Sequence, residues 1–389
     1  MSYHVTIYCP DQHLTYNLHT LDDQGVGGGV TARVRIAHAL ADRGHTVTLY
    51  NNCPKAHTIE GVQYRSCQDF DQVKTDIFIA STSGDGLNLS RLSEVEVQAR
   101  LSLLMVHGIN PPQGVDLGDF DYFYALSNFV RAIIVDRWGV VPRKLFTTHR
   151  GVKGDYYQPL GTLAPDRDPF GIVYTGHPSK GLGAAIDVLN LLREKDDRFT
   201  LHVYGGYRLW GGEERQIGGE PGLVYHGMVG QRALAREIQR YGFCLNLQDR
   251  QEPFGMVLIE AMRAGCVVLA SPVGAFPELI HHGYNGFLVE GIPSSPATHR
   301  EATRVIFSLM KNPSYRDFIR RKAMVTPLAW RIVAEAWDGH WTWALSEDRV
   351  VGNPFALAPC PSCGGMFLPL ADGLHCVGCG HYLGHCLKR

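Results

Sequence analysis

The stretch QEPFGMVLIEAMRAG, residues 251–265, sets Glu252 and Glu260 eight positions apart around a proline, a glycine and an apolar run. Pro253 disfavours helical geometry at Glu252, whereas FGMVLIEAMRAG has helical spacing and stops at Gly265. The pattern predicts Glu252 on a loop and Glu260 about one or two turns into a helix. Between them fall the N–H groups that a helix start leaves without intrahelical partners, near Gly255, Met256 and Val257. Such a start favours a phosphate. A phosphate flanked by two carboxylates, each able to accept hydrogen bonds from sugar hydroxyls, describes a sugar nucleotide.

Other residues have the types and spacing for related chemistry. GHPSKGL at 176–182 follows a predicted strand and opens a predicted helix, so Lys180 can reach a diphosphate. GVGGGVT at 25–31 is a second glycine-rich turn, and Gly27, Gly29 and Ala32 satisfy the dinucleotide pattern G-x-G-x-x-A. Two features oppose a nicotinamide site there. The glycines lie about fifteen residues beyond the first predicted strand where that fingerprint requires a tight turn, and the second strand ends in LYNN without an acidic ribose ligand. DFD at 119–121 has the D-x-D spacing of divalent-metal sites but leads straight into the predicted strand YFYALS, and it is read as structural. Near the C-terminus, CPSC at 360–363 and CVGC at 376–379 give Cys-x2-Cys-x12-Cys-x2-Cys. This is four-thiolate zinc spacing, with Cys360, Cys363, Cys376 and Cys379 as ligands of a closed, structural Zn2+.

The elements that must position these residues alternate in type. HVTIYCP, the helical GGGVTARVRIAHALADRG and HTVTLY make a β–α–β opening, and TDIFIA, RLSLLMVHG and DYFYALS continue it as buried strands. A second alternating series begins at PFGIVYTG and runs through FTLHVYGG, LVYHGMV and FCLNLQD into the acidic stretch. The predicted organisation is an α/β chain of two Rossmann-like domains facing each other across a cleft, at 1–160 and 161–325. Helices at 326–350 return toward the N-terminal domain, and a small zinc ribbon occupies 355–389. A chain of 389 residues with 45% hydrophobic and 19% charged residues fits such a globular, multi-domain plan. The net charge of -1 provides no general field for nucleic acid or an anionic membrane. No apolar run of about 18 residues spans a bilayer and no export signal is read, so a cytoplasmic location with reduced core thiols is expected.

EPFGMVLIEAMRAGCVVLASPVGAFPELIHHGYNGFLVE closely resembles the donor-site signature of the retaining glycosyltransferases of family four, which have the GT-B fold. SNFVRAIIVDRWGVVPRKLFTTHRGVKGDYYQP is similar to that family's interdomain passage, and the resemblance covers about residues 3–345. It implies that Glu252 binds the hydroxyls of the transferred sugar and Glu260 the ribose. Phe254, Gly255, Met256, Val257 and Lys180 then hold the rest of the donor, with Gly28 and Gly29 over the diphosphate. It implies a catalytic set of His107, Lys180 and Glu252, with His107 of MVHGIN hydrogen-bonded to the sugar near the reacting carbon. Two acids at a helix start otherwise only complement the helix dipole, worth about 0.3–1 kcal/mol. With Pro253, Phe254, Gly255 and the downstream ASPVGAFPE all present, the ligand-binding reading prevails. The chain departs from the family at His177, where an arginine is common, and at Arg150, where an asparagine is common.

The expected activity is retaining, metal-independent transfer from a nucleotide-sugar to a hydroxyl, or another nucleophile, of an unidentified acceptor. The acceptor is most readily a small molecule or glycan, with nucleic acid a further candidate through the ribbon. The competing classes are a GT-B-type sugar-nucleotide epimerase, which needs acid/base side chains at the sugar, and a non-catalytic binding protein working through the ribbon.

Overall fold

In this computed structural model, residues 2–84, 86–213, 215–325 and 328–346 are described, together with strand residues 367–370, 373–376 and 382–383. The chain divides into two compact units. Met1–Leu21, Gly27–Gly151 and Leu328–Arg389 make the first, and Asp22–Val26 with Val152–Pro327 the second.

The first unit is built on β1 (His4–Tyr8), β2 (Thr46–Asn51), β3 (His57–Ile59), β4 (Val62–Ser66), β5 (Val73–Ser81), β6 (Val97–Met105), β7 (Tyr122–Ala125) and β8 (Leu145–Thr147). Their spatial order is β3-β4-β2-β1-β5-β6-β7-β8, parallel except for the antiparallel β3–β4 pair. Runs such as IFIAS in β5 and LLM in β6 are buried throughout, as a parallel sheet covered on both faces requires. Helices α1 (Leu18–Asp23), α2 (Gly28–Asp42) and α3 (Asn128–Asp136) interrupt the strands. α1 occupies much of the long gap between β1 and the glycine-rich turn, where no tight dinucleotide turn forms. Asn51, at the end of β2, donates from Nδ2 to the Tyr16 carbonyl at 2.7 Å.

The second unit contains β9 (Asp168–Gly176), β10 (Thr200–Gly205), β11 (Leu223–Gly227), β12 (Tyr241–Asn246), β13 (Val267–Ala270) and β14 (Phe287–Leu288). All are parallel, in the order β11-β10-β9-β12-β13-β14, so the winding direction reverses between β9 and β12. In doubly wound sheets, ligands bind beyond the carboxyl ends of the strands at such a reversal. The helices are α4 (Leu182–Arg193), α5 (Gln231–Ile238), α6 (Met256–Arg263), α7 (Phe276–Leu279), α8 (Pro296–Lys311) and α9 (Pro313–Met324). Leu189 of α4, Ile306 of α8 and the strand residues Ile172, Leu201 and Phe243 share one fully buried core.

From the second unit the chain returns to the first as α10 (Trp330–Ala344). Trp337 and Trp341 are buried, Trp337 Nε1 donates to Thr148 Oγ1 at 2.9 Å, and the Tyr124 hydroxyl lies 2.7 Å from His340 Nδ1. Gly151, where the chain leaves the first unit, abuts the backbone of Ala329 and Trp330, where it comes back. The last strands, β15 (Phe367–Leu370), β16 (Gly373–Cys376) and β17 (Tyr382–Leu383), form an antiparallel sheet with Phe367 opposite Cys376.

Candidate active site

In the second unit, the loops after β9 and β12 carry Lys180 and Glu252, one on each side of the winding reversal. Lys180 Nζ lies 2.6 Å from Glu252 Oε2, with 22% and 17% of the two side chains exposed. A charge-assisted bond of this length fixes both groups while leaving them open to an incoming ligand. The stretch ASPVGAFPE supports the loop from below. Gly274 adopts φ +56°, and any side chain there would collide with the backbone of Glu252, whose carbonyl accepts the Ala275 N–H at 2.9 Å. Two residues on, the Phe276 ring lies so close to Gly255 that a Cβ there would sit 2.8 Å from it.

Gly255 is the N-cap of α6, and no side chain caps that helix. The first hydrogen bonds of α6 run from Leu258 and Ile259 to the Gly255 carbonyl, so the N–H groups of Met256 and Val257 belong to the turn that a helix leaves for external acceptors. Phe254 and Met256 are buried at 1% and 8% exposure, so only their backbones are available to a ligand. Val257 and Glu260, three positions apart, are the half-exposed residues of an otherwise buried helix. The spacing argument thus has a physical basis: the apolar residues of α6 face the core, and one carboxylate stands on the remaining face.

Lys180 has a second set of neighbours that the sequence did not indicate. Trp210, 44% exposed, stacks on His177 with centroids 3.9 Å apart and planes at 10°. The amine of Lys180 lies 5.6 Å and the guanidinium of Arg250 4.7 Å from the Trp210 centroid. Partial burial, then Lys180 and Arg250, push the His177 pKa down, and its Nδ1 accepts from the Ser179 N–H at 3.2 Å. His177 thus brings a neutral ring to a position where an arginine would bring charge. The aromatics of the loop YRLWGG, Tyr207 and Trp210, were the available signal.

In the first unit, the residues at the carboxyl ends of the strands gather around His107, just after β6. Its backbone N–H donates to Thr82 Oγ1 at 2.7 Å, and Arg150 bridges from His107 Nδ1 to the Gly28 carbonyl, the latter at 3.0 Å. Gly29, in the first turn of α2, lies beside His107 and Arg33: a Cβ there would be 3.9 Å from His107 Nδ1 and 3.7 Å from an Arg33 nitrogen. Burial, reinforced by Arg150 and Arg33, drives the His107 pKa well below the usual range. Arg33 was missed by sequence reasoning. It is fully buried and donates to Asp11, to the Tyr16 hydroxyl at 3.0 Å and to the Thr82 carbonyl at 3.1 Å. An arginine three positions after Val30, inside the apolar stripe of α2, was the clue.

Thus Lys180, Glu252, Gly255–Val257 and Glu260 belong to one unit, and Gly28, Gly29 and His107 to the other. Asp121 of the DFD triplet is engaged in the sheet, accepting the Ser102 N–H at 2.8 Å. Of the proposed zinc ligands, Cys360, Cys363 and Cys379 lie outside the described residues, and only the strand position of Cys376 is described. Among the described residues no cluster of metal-binding side chains occurs, and no helix is long and apolar enough to cross a membrane.

The fold and the donor-side loops define a class, and comparison with known proteins gives its name. Residues 169–304 match the family Glycosyl transferases group 1, and they include Lys180, Glu252 and Glu260. This region is therefore a glycosyltransferase group 1 domain. A glycogen synthase from Bordetella bronchiseptica is 38% identical over 103 residues, 23% of this chain and 20% of that protein. A D-inositol 3-phosphate glycosyltransferase from Streptomyces scabiei is 28% identical over 239 residues, 56% of this chain and 52% of that protein. The chain thus spans between a fifth and about half of the length of these relatives. A solved glycosyltransferase from Rickettsia africae superposes with a TM-score of 0.65 at 14% identity, covering 89% of this chain and all of that one. The architecture, an α/β fold with two parallel-sheet units, matches that of the GT-B glycosyltransferases.

Proposed function

We propose that the protein is a retaining glycosyltransferase of the family-four type, transferring a sugar from a nucleotide-sugar to a hydroxyl of an acceptor without a catalytic metal. The single observation carrying this reading is the Lys180–Glu252 pair, 2.6 Å apart beside the uncapped start of α6 and inside the group 1 domain. A diphosphate takes the Met256 and Val257 N–H groups and the Lys180 amine, which stabilises the departing charge. Glu252, released from Lys180, accepts hydroxyl hydrogen bonds from the transferred sugar, while Glu260 accepts those of the ribose. In the first unit, Gly28, Gly29 and His107 offer N–H groups to substrate oxygens. The acceptor oxygen forms a bond to the anomeric carbon on the face from which the phosphate leaves. The C–O bond to the phosphate breaks with its electron pair, and the acceptor proton passes to the leaving phosphate oxygen. No side chain acts as a covalent nucleophile in this scheme.

We assign Cys360, Cys363, Cys376 and Cys379 to a structural Zn2+ apart from the reaction. The ligand spacing and the β15–β16 hairpin, which joins one cysteine pair to the other, support this role. Five buried free thiols, Cys9, Cys53, Cys67, Cys244 and Cys266, suit a reducing, cytoplasmic compartment.

Incubating the protein with UDP-, GDP-, ADP- and dTDP-sugars, with and without a panel of hydroxyl acceptors, tests the reading by mass spectrometry. One donor is consumed, and the Glu260→Ala variant loses that binding. Epimerised donor without acceptor points instead to an epimerase. Absence of any binding or turnover removes the assignment.

A further inference from the structure

Arg150 and His107 stand together in the first unit with a geometry that fixes more than their positions. One guanidinium nitrogen of Arg150 contacts His107 Nδ1, and the other terminal nitrogen donates to the Gly28 carbonyl at 3.0 Å. A guanidinium carries only donors, so Nδ1 must present its lone pair, and the single ring hydrogen must sit on Nε2. His107 is 7% exposed, and its Nε2 is buried with no hydrogen-bond partner among the described residues. A buried donor left unsatisfied by the fold is costly unless a ligand engages it.

We infer that Arg150 is a positioning residue that locks His107 as a neutral Nε2–H donor aimed at an oxygen of the bound substrate. The substrate assignment, a hydroxyl or phosphoryl oxygen, rests on the glycosyltransferase reading; the tautomer does not. The charged groups facing the ring are Arg150, from the segment after β8, and Arg33, from α2, with Arg33 itself bound to Asp11 after β1. Both cations oppose a proton on Nδ1, and so does burial. A neutral ring suits transfer because an imidazolium would repel the positive charge that develops on the sugar. Through the Gly28 carbonyl, the same guanidinium also ties the histidine to the start of α2, so the lock holds the donor and the glycine turn in one register.

The test uses the full-length chain with 15N-labelled histidine, the His107 ring signals being identified by their loss in His107→Gln. Wild type should show a protonated Nε2 and a bare Nδ1 that do not titrate from pH 8 to 5. Arg150→Met should titrate near an ordinary histidine, and Arg150→Lys, which restores one donor, should restore the wild-type signature. In transfer assays, activity of Arg150→Met relative to wild type should fall about tenfold between pH 7.5 and 5.5, since a histidine of ordinary pKa is about nine-tenths protonated at the lower pH. If Arg150→Met does not fold, wild type and Arg150→Lys still decide through the ring signals. A wild-type ring protonated on Nδ1, or one titrating near pH 6.5, overturns the proposal, as does an Arg150→Met variant indistinguishable from wild type. Because the ring signals need no substrate, they stand or fall separately from the assignment of sugar transfer.

Discussion

Lys180 and Glu252 are bonded to each other, yet the proposed reaction needs them apart, and this predicts opposite effects from removing either one. A nucleoside diphosphate has to take the Lys180 amine from Glu252. The pair is 22% and 17% exposed, between open-surface pairs worth about 0–1 kcal/mol and fully buried ones whose breakage costs about 3–5 kcal/mol. Solvent screening places the competition near the lower range, about 1 kcal/mol, or roughly fivefold in a dissociation constant. Glu252→Gln should therefore tighten binding of the nucleoside diphosphate alone by about threefold to fivefold, while depressing sugar transfer. Lys180→Met should weaken the same binding, because a lost charge-assisted hydrogen bond costs about 1.5–3 kcal/mol, or about tenfold to 150-fold. Titration calorimetry on the two variants, using the diphosphate of whichever donor the screen returns, measures both shifts directly. Damage to the loop would weaken both variants alike. If Glu252→Gln loses affinity as Lys180→Met does, the exchange of partners is wrong.

Three further outcomes follow from the same geometry. Gly274→Ala should cost about 1–2 kcal/mol of stability from its positive φ alone and displace the Glu252 backbone, so donor KM rises several-fold; thermal unfolding and kinetics check this, and an unchanged KM rejects the support role. Burial depresses the pKa of His149 and of His340 to about 3, so below the unfolded value near 6.5 the unfolded chain takes up protons that the folded chain refuses. Their contribution to stability is complete above about pH 6.5 and declines on acidification, by on the order of 2 kcal/mol each at pH 5. Denaturant melts of wild type and His149→Gln should show the shallower decline in the variant, and parallel curves count against it. Elemental analysis of purified protein should find about one zinc per chain, lost in Cys360→Ser; a metal-free wild type contradicts the four-thiolate assignment.

What was legible in the sequence had local causes. The alternation of strands and helices follows from apolar periodicity, and the loop-to-helix change between Glu252 and Glu260 follows from Pro253 and the spacing of the apolar residues of α6. What escaped depends on partners distant in the chain. Lys180 and Glu252 are 72 residues apart, and Arg150 and His107 are 43, so no window of sequence displays either pair. The β3–β4 hairpin was passed over because its turn is Glu60–Gly61, with both residues at positive φ, rather than the asparagine–glycine pair that usually announces such a turn. Arg33 was hidden by its setting. A charge inside an amphipathic helix reads as solvent-facing until Asp11 and Tyr16, from a preceding loop, supply its partners.

The return of α10 to the first unit has a consequence for biosynthesis. Tyr124 and Phe146 are covered by Trp337 and His340, which leave the ribosome only after residues 152–327 have been made. When synthesis has reached residue 327 the whole of the second unit has been made, whereas the first, begun earlier, still presents uncovered aromatic rings. The half started first is thus the half finished last, and during translation it is the part most in need of a chaperone.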